Sequence, residues 1–522
     1  MSLRRSIVAN SASQLYAVAI GILFVPLYVR YMGIEAYGLV GIYTMLQGWF
    51  VLLDLGLTPT VTRETARFNG GAIGALELRR LFRALEGIFV TTAIAGALFL
   101  IAISGVIATN WITVEAHHWT EVQRALCLMA VVVSLRWVCG LYRGAITGFE
   151  DIVWLSGVTG IVATVRFALI VPFLMFVGAT PTYFFAYQLA VALLEVTILV
   201  ARTYRLFPPV PVRGIIPWQW APVRPVLRFA LSAAFTSAVW VFVTNTDKLI
   251  LSGMVSLTDY AYFTLAVLVA SGIAILSSPI GAAILPRLTN LNAQGDEDAL
   301  VRRYREATQI VLVVCAPVVL MLALFSEPIL MAWTNQPGVA HNAAPILSLY
   351  AIGNGLLTLL TIPYYLQIAR GNLTLHVIYN VVFVILFAPL LVLAVSRFGM
   401  IGAGYAWIIA NLFPVLVWLP VVHRRFLPGM HMRWLTRDVL AVVALPVGAA
   451  LAARYFIVWP PARIWLFVEL LLVYGVLVLL AACSSSAIGG RLKARLANSA
   501  FLESVRRSRA VGRARGIERT DV

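Results

Sequence analysis

Charge is what this sequence has least of. Asp, Glu, Lys and Arg make up 12% of its 522 residues, about half of their share in an ordinary soluble protein. The hydrophobic fraction is 61% and the mean hydropathy is +0.91, which excludes intrinsic disorder. A soluble domain this apolar could not cover its surface, and a nucleic-acid-binding protein needs a wet basic face. The composition therefore predicts a polytopic membrane protein and no nucleic-acid partner.

Lysine and cysteine are also scarce. There are two lysines, Lys248 and Lys493, and four cysteines without a CxxC pair. The six histidines show no metal-ligand spacing, so we expect no metal site and no cofactor. The sequence has no Walker A, HExxH or GxSxG motif. We therefore expect a protein that is not an enzyme, and whose work is driven by an ion gradient or by the gradient of its cargo.

Long apolar runs account for the hydrophobic fraction. A helix needs about 20 apolar residues to cross the hydrocarbon layer, and fourteen segments meet this requirement. They are 7–29, 38–58, 84–108, 122–142, 152–176, 183–202, 227–254, 260–285, 307–330, 342–366, 376–395, 401–422, 439–457 and 464–483. We predict an all-α membrane protein with fourteen transmembrane helices.

The distribution of basic residues tests this number of spans. With a cytoplasmic N-terminus, 31 of the 39 Arg and Lys residues fall in cytoplasmic segments. This is the bias of the positive-inside rule, and an incorrect number of spans would scramble it. We predict that both termini are cytoplasmic. The basic C-terminal tail either meets anionic membrane lipids or serves only to fix the topology.

Three pairs of residues repeat at nearly one offset and suggest two six-helix halves. Offsets of 223, 223 and 224 residues separate Arg5 from Arg228, Tyr37 from Tyr260, and Arg63 from Arg287. Transporters are often built from such repeats, although helix ends favour these residue types in any case. We predict an N-lobe over 1–205, a cytoplasmic linker over 206–226, a C-lobe over 227–425, two further helices over 426–483 and a basic cytoplasmic tail over 484–522.

Three segments resemble one transporter family. They are PLYVRYMGIEAYGLVGIYTMLQGWFVLLDLGLTPTVTRETAR (Pro26–Arg67), LYRGAITGFEDIV (Leu141–Val153) and TNTDKLILSGMVSLTDYAYFTLA (Thr244–Ala266). They are similar to segments of the polysaccharide-biosynthesis (Wzx-type) flippases, within the multidrug/oligosaccharidyl-lipid/polysaccharide exporter superfamily. Lipid II flippases of this superfamily carry arginines in the first span, whereas 7–29 has no charged residue. This departure argues against the lipid II branch.

The resemblance implies a MATE-like two-lobed bundle that opens alternately to each side. It implies a polyisoprenyl-pyrophosphate-linked oligosaccharide as cargo, an O-antigen or exopolysaccharide repeat unit flipped from the cytoplasmic to the periplasmic leaflet. It also implies a bacterial inner-membrane location, with a proton or sodium ion as coupling partner. A polysaccharide polymerase and a chain-length regulator are candidate protein partners.

Basic and polar side chains within spans are candidates for cargo binding, because burying them in the membrane is costly. Arg166 lies about 14 residues into the fifth span, near the bilayer midplane, and Arg136 lies in the fourth span. The predicted substrate-binding set is Arg166, Arg136, Lys248, Asn245 and Gln47. The alternatives are an interfacial position for Arg136, an outward-pointing Lys248 and an interhelical hydrogen bond for Gln47.

Acidic side chains within spans are candidates for ion coupling and gating. We predict that Asp247 or Glu195 binds the coupling ion, and that Asp54 and Arg63 form a gate at the cytoplasmic end of the second span. The alternatives are a structural Arg166–Glu195 ion pair and a helix-end cluster around Asp54. Because adjacent helical residues point about 100° apart, we expect Asp247 and Lys248 not to pair.

Two other functions remain open from the sequence. One is a MATE-type exporter of drugs or metabolites, which would use Asp247 or Glu195 to bind a cation. The other is a membrane glycosyltransferase or ligase, which the short predicted outer loops disfavour.

Overall fold

The computed structural model describes residues 3–114, 119–209 and 218–489, and nearly all of them are helical. Thr113 and Ser256 form an isolated parallel β-bridge, and the described residues contain no strand. Residues 210–217 of the predicted linker and 490–522 of the predicted tail lie outside the described residues.

The first part of the chain forms nine α-helices among its described residues. They are α1 (Leu3–Leu23), α2 (Val25–Met32), α3 (Ile34–Phe50), α4 (Leu57–Asn69), α5 (Ala75–Val106), α6 (Trp119–Gly148), α7 (Ile152–Phe167), α8 (Ile170–Phe176) and α9 (Pro181–Leu206). A 3₁₀ turn, Val51–Asp54, continues α3, and a π-helical turn, Ile107–Trp111, continues α5.

The remaining described residues form twelve more α-helices. They are α10 (Arg224–Met254), α11 (Leu257–Gln294), α12 (Glu297–Leu324), α13 (Ser326–Thr334), α14 (Pro337–Leu359), α15 (Thr361–Ala369), α16 (Thr374–Phe398), α17 (Met400–Phe413), α18 (Leu419–Phe426), α19 (His431–Arg433), α20 (Ala441–Phe456) and α21 (Arg463–Ser484). π-Helical segments over Pro414–Trp418 and Trp434–Leu440 make α17 and α18, and α19 and α20, nearly continuous.

Thirteen helical segments of the described chain are long and apolar enough to cross a membrane. Several consist of two helices in line, such as α7 with α8 over Ile152–Phe176. Each of them overlaps one predicted span. The seventh predicted span coincides with the 31-residue helix α10, which is not among the thirteen, so the number fourteen is not confirmed.

Two compact units divide the chain. Unit 1 contains the described residues up to Val269, together with Trp333–Ile346 and Asn380–Ala406. Unit 2 contains Ala270–Ala332, Leu347–Tyr379 and the described residues from Trp407 onward. The predicted lobe boundaries stay a prediction.

Helix α6 is the central element of unit 1 and packs against α3, α4, α5 and α9. It approaches α4 closely because glycines face that helix: a Cβ at Gly148 would lie 2.6 Å from the carbonyl oxygen of Thr62. Small residues allow such contacts between membrane helices, where van der Waals packing drives association. On another side of α6, the Trp137 ring stacks on Phe89 with centroids 4.4 Å apart.

In unit 2, one apolar cluster and one polar cluster hold α20 and α21 against α12. The apolar cluster consists of Met321, Phe325, Ala332, Ala450, Leu466, Leu470 and Leu477. In the polar cluster, Arg305 donates to both oxygens of the fully buried Asp438 carboxylate, at 2.6 and 3.1 Å. Gln309 donates to Asp438 at 2.6 Å and accepts from Ser485 at 2.8 Å. The polar cluster therefore holds α12 to the segment just before α20, through Asp438, and to the residue just after α21, Ser485.

Large apolar side chains remain exposed along many of these helices. Phe176, Tyr455 and Phe456 are 87%, 83% and 75% exposed. Exposed apolar surface on this scale is expected where a protein meets lipid. The chain is a multi-pass membrane protein.

Asp438→Ala should strongly destabilise unit 2. The substitution leaves the buried Gln309 and the partly exposed Arg305 without their shared acceptor, and hydrogen bonds to a charged group contribute about 1.5–3 kcal/mol. The measurement is the thermal unfolding of the purified protein in detergent micelles. The control is Glu306→Ala, which breaks the half-exposed Arg303–Glu306 pair and should cost less than about 1 kcal/mol. Equal losses from both variants would contradict the assigned role of Asp438.

Candidate functional site

A buried carboxylate binds two arginines inside unit 1. Glu195 of α9 is 3% exposed. Its Oε1 accepts a hydrogen bond from Arg143 Nη2 at 2.5 Å, and its Oε2 lies 3.4 Å from Arg136 Nη2. Arg136 and Arg143 are seven residues apart, two turns along one face of α6. Arg143 is also held by Thr159 of α7, at 3.1 Å.

Arg166 does not form the structural ion pair with Glu195 that is the alternative to its predicted role in cargo binding. Glu195 is paired with Arg136 and Arg143 instead. Arg166 Nη2 is 3.4 Å from the hydroxyl oxygen of Tyr43, and its guanidinium lies over the Tyr43 and Phe167 rings. It interacts electrostatically with Arg136 and Glu195. Three guanidinium groups therefore share the field of one carboxylate.

The arginines retain unused hydrogen-bond donors. The Nε atoms of Arg136 and Arg166 are buried and have no hydrogen-bond partner among the described residues. A buried donor without an acceptor is costly, and the planar guanidinium suits the oxygens of a phosphate. This arrangement is therefore chemically suited to an anion with several oxygens.

A helix break places Arg166. Helix α7 ends at Phe167 and α8 starts at Ile170, and the carbonyls of three consecutive residues at the break accept hydrogen bonds from side chains. Tyr187 donates to Val165 at 2.7 Å, Gln188 donates to Arg166 at 3.4 Å, and Tyr28 donates to Phe167 at 2.5 Å. Broken helices that bind substrates are common in transporters. The break is stable here because α2 and α9 provide the missing donors.

Neutral polar groups extend the site along α3. Gln47 Nε2 donates to the Tyr43 hydroxyl at 2.9 Å, which connects it to Arg166. Asn245 of α10 lies against Gly48, where a Cβ would come within 2.6 Å of its Oδ1. Its amide donates to the Val241 carbonyl at 3.2 Å. The structure thus brings Gln47 to the arginine cluster and Asn245 to the neighbouring turn of α3.

Asp247 and Lys248 lie further along α10, and here one expectation was wrong. The Lys248 ammonium bends back to 3.7 Å from Asp247 Oδ1 and donates to the carbonyl of Thr244. The two side chains do form an ion pair, because the flexible four-carbon stem of lysine overcomes the 100° separation on the helix. Asp247 is 3% exposed and Lys248 is half-buried.

Asp54 and Arg63 lie on either side of a helix interruption after the second span. Leu55 and Gly56 both have left-handed backbone angles, with φ of 46° and 72°, and α4 starts at Leu57. Asp54 Oδ1 accepts from the hydroxyl and the amide of Thr58 at 2.5 and 3.2 Å, so it stabilises the start of α4. Arg63 Nη1 lies 3.5 Å from Glu64.

Sequence reasoning missed Arg143 and Tyr43 as parts of the site. Arg143 lies one residue beyond the predicted end of the fourth span, so the sequence predicts a cytoplasmic position for it. Its spacing of seven from Arg136 was the signal that could have found it. Among the described residues, no group of three His, Cys, Asp or Glu side chains is placed to hold a metal ion.

Comparisons with known proteins identify the family. Residues 3–292, more than half of the chain, match the family described as Polysaccharide biosynthesis protein. A protein named "Putative O-antigen transporter" from Shigella flexneri is 23% identical over 427 residues, which cover 79% of this chain and 97% of that relative.

Solved structures show a shared fold. The lipid II flippase MurJ, in an inward closed conformation, has a TM-score of 0.72 at 13% identity and covers 91% of this chain and 98% of its own. A MATE-family multidrug resistance transporter, in an inward-facing conformation, has a TM-score of 0.65 at 14% identity and covers 79% and 94%. The predicted MATE-like fold is confirmed. The protein belongs to the polysaccharide biosynthesis protein family.

Proposed function

We propose that this protein flips a polyisoprenyl-pyrophosphate-linked oligosaccharide, an O-antigen or exopolysaccharide repeat unit, across the membrane. The observation that carries the proposal is the cluster of Arg136, Arg143 and Arg166 around a single carboxylate, Glu195. A pyrophosphate must be stripped of water to cross the membrane, and guanidinium groups replace that hydration with charge-assisted hydrogen bonds.

In this proposal Glu195 is the counter-ion of Arg136 and Arg143 before the cargo binds. The cargo's pyrophosphate competes with Glu195 for Arg136 and Arg143, because both carry negative charge and both need guanidinium donors. Protonation of Glu195 would release the two arginines to the phosphate. Loading of the cargo would then be coupled to a proton, and Asp247 is the second candidate for an ion-coupling acid.

Neutral groups in the same unit suit the sugar part of the cargo. Gln47, Tyr43 and Asn245 have amide and hydroxyl groups, which exchange hydrogen bonds with sugar hydroxyls without adding charge. Lys248, held by Asp247 at 3.7 Å, is a further cation for the phosphate. We place Asp54 and Arg63 at a gate, because the left-handed turn at Leu55 and Gly56 separates the second span from α4.

The topology and location complete the proposal. We infer a bacterial inner membrane, both termini in the cytoplasm, and alternating access between an N-lobe over 1–205 and a C-lobe over 227–425. A polysaccharide polymerase and a chain-length regulator are the proposed partners on the periplasmic side, because they would act on the flipped repeat unit.

A cation-coupled exporter of drugs or metabolites is the second candidate. Its support is the likeness in fold to the MATE transporter. A cavity for cationic drugs should carry excess negative charge, whereas the cluster around Glu195 carries three guanidinium groups. The charge of the site therefore favours the anionic cargo. A glycosyltransferase or ligase is disfavoured, since the named relatives are transporters and flippases.

Arg166→Ala should lower the export of surface polysaccharide at least about tenfold, because a charge-assisted hydrogen bond contributes about 1.5–3 kcal/mol. Arg166→Lys should retain part of the export, since it keeps the charge. The measurement is surface polysaccharide in cells that depend on the variant, with membrane insertion checked by immunoblot. The matched control is Arg397→Ala, at an exposed arginine of α16. Normal export by Arg166→Ala cells would refute the role of Arg166.

Glu195→Gln should uncouple cargo binding from transport. The amide keeps the size of the side chain but no longer neutralises Arg136 and Arg143, so purified protein should bind undecaprenyl phosphate at least as tightly as wild type. Export should fall, because the ionisable group is gone. The control is Glu86→Gln, which neutralises a buried carboxylate bound by Tyr142 and Tyr204. Weaker lipid binding together with normal export would contradict the counter-ion role.

Fusions to the C-terminus should report a cytoplasmic tail. We expect a green fluorescent protein fused after Val522 to fluoresce and an alkaline phosphatase fused there to be inactive, because the phosphatase needs the oxidising periplasm. A fusion within the predicted outer loop near Pro461 should give the opposite result. An active phosphatase at Val522 would overturn the proposed orientation.

A further inference from the structure

A basic pocket lies in unit 2. It has a volume of about 830 Å³ and lies between the start of α12, the end of α15 and the turn from α18 to α19. The residues that matter for its chemistry are Glu297, Arg370, Arg425, Phe426 and Arg433. The volume falls in the range of about 300–1,000 Å³ that is typical of ligand sites.

Arg370 forms the fixed part of the pocket. Its guanidinium binds both oxygens of Glu297, at 2.7 and 2.5 Å, and also donates to Asn292 Oδ1 at 2.7 Å. Its Nε is buried and has no hydrogen-bond partner within the part of the chain that the structure describes. The side chain is therefore held in one orientation at the pocket wall.

Arg425 and Arg433 provide the uncompensated charge. Both side chains are exposed, and neither has a carboxylate partner within 4 Å among the described residues. Glu297 is the acid that lines the pocket, and Arg370 already neutralises it. The pocket therefore carries two positive charges with no counter-ion in the described chain.

Side-chain hydrogen bonds hold together the wall that presents these two arginines. His423 Nδ1 lies 2.8 Å from His431 Nδ1, which ties the end of α18 to the start of α19. His423 is fully buried, and its Nε2 lies 2.6 Å from the hydroxyl oxygen of Tyr304 on α12. The turn between the helices closes with Gly429 in a left-handed conformation, φ 75°. Arg425 and Arg433 are thus brought to one pocket by a buried scaffold.

The surroundings of the pocket indicate a lipid rather than a soluble ligand. Apolar side chains next to it along the same helices are exposed: Val421 is 42% exposed and Met432 is 64% exposed. Helix α18 ends one candidate span and α19 begins the next. We therefore expect their exposed apolar faces to meet acyl chains and these helix ends to reach the headgroup layer. Basic pockets between helix ends on the arginine-rich side of a membrane protein suit phosphate headgroups.

We propose that this pocket binds the phosphate group of a membrane lipid through Arg425 and Arg433, beside Arg370, which neutralises the acid of the pocket wall. The source is either an anionic glycerophospholipid of the leaflet or a polyprenyl phosphate. The inference rests on the pocket alone and does not depend on the proposed flippase function.

The test measures lipid binding by the purified full-length protein with native mass spectrometry. The probes are phosphatidylglycerol, undecaprenyl phosphate, phosphatidylcholine and inorganic phosphate. The Arg425→Gln/Arg433→Gln double variant should bind the preferred anionic lipid at least about tenfold more weakly than wild type, because it loses two charge-assisted interactions. The matched control is Arg424→Gln/Arg437→Gln, which removes the same charge from neighbouring exposed residues outside the pocket.

The outcomes separate the possible readings. Loss of lipid binding in Arg425→Gln/Arg433→Gln but not in the control variant supports the site. The lipid whose binding is lost, phosphatidylglycerol or undecaprenyl phosphate, identifies the source of the phosphate group. Arg425→Lys/Arg433→Lys should keep part of the binding, which guards against a folding defect. Equal loss in both glutamine variants would overturn the proposal, since general surface charge would explain it. Binding of phosphatidylcholine or inorganic phosphate as tightly as the anionic lipids would overturn it as well.

Discussion

The pairing of Glu195 with Arg136 and Arg143 is the interaction on which the first unit depends. An ionised side chain between membrane helices is costly unless a partner of opposite charge is near. One carboxylate from α9 satisfies this need for two arginines on α6, at 2.5 and 3.4 Å, and so fixes how the two helices face each other. It does not neutralise Arg166 as well. The excess positive charge is what makes this part of the membrane domain attractive to an anion.

The second unit also contains a buried carboxylate, but there one arginine balances its charge. Asp438 is fully buried, and Arg305 and Gln309 satisfy both of its oxygens. Gln309 in turn accepts from Ser485 at the end of α21. The charges of Arg305 and Asp438 balance, and the effect of the cluster is to hold α20 and α21 against α12. Two buried clusters of similar composition thus differ in role because one is neutral and the other is not.

Local features of the sequence could be predicted, whereas pairings could not. An apolar run of about 20 residues is visible in the sequence, and thirteen of the fourteen predicted spans overlap helical segments long and apolar enough to cross a membrane. The segment Pro26–Arg67 indicated the family. Which arginine meets Glu195 depends on the rotation of α6 against α9, which no local pattern encodes. Arg143 was missed because it lies just past a predicted helix end. Helical geometry alone predicts that Asp247 and Lys248 do not pair. The lysine side chain is long enough to bend back to Asp247, so the pair forms.

The break after Phe167 has a consequence for how the protein is made. The carbonyls of Val165 and Arg166 accept from Tyr187 and Gln188 of α9, residues that are synthesised later. Until α9 enters the bilayer, these carbonyls have no such donors, and exposed backbone groups are not tolerated in hydrocarbon. The fifth and sixth spans should therefore leave the translocon as a hairpin rather than one at a time.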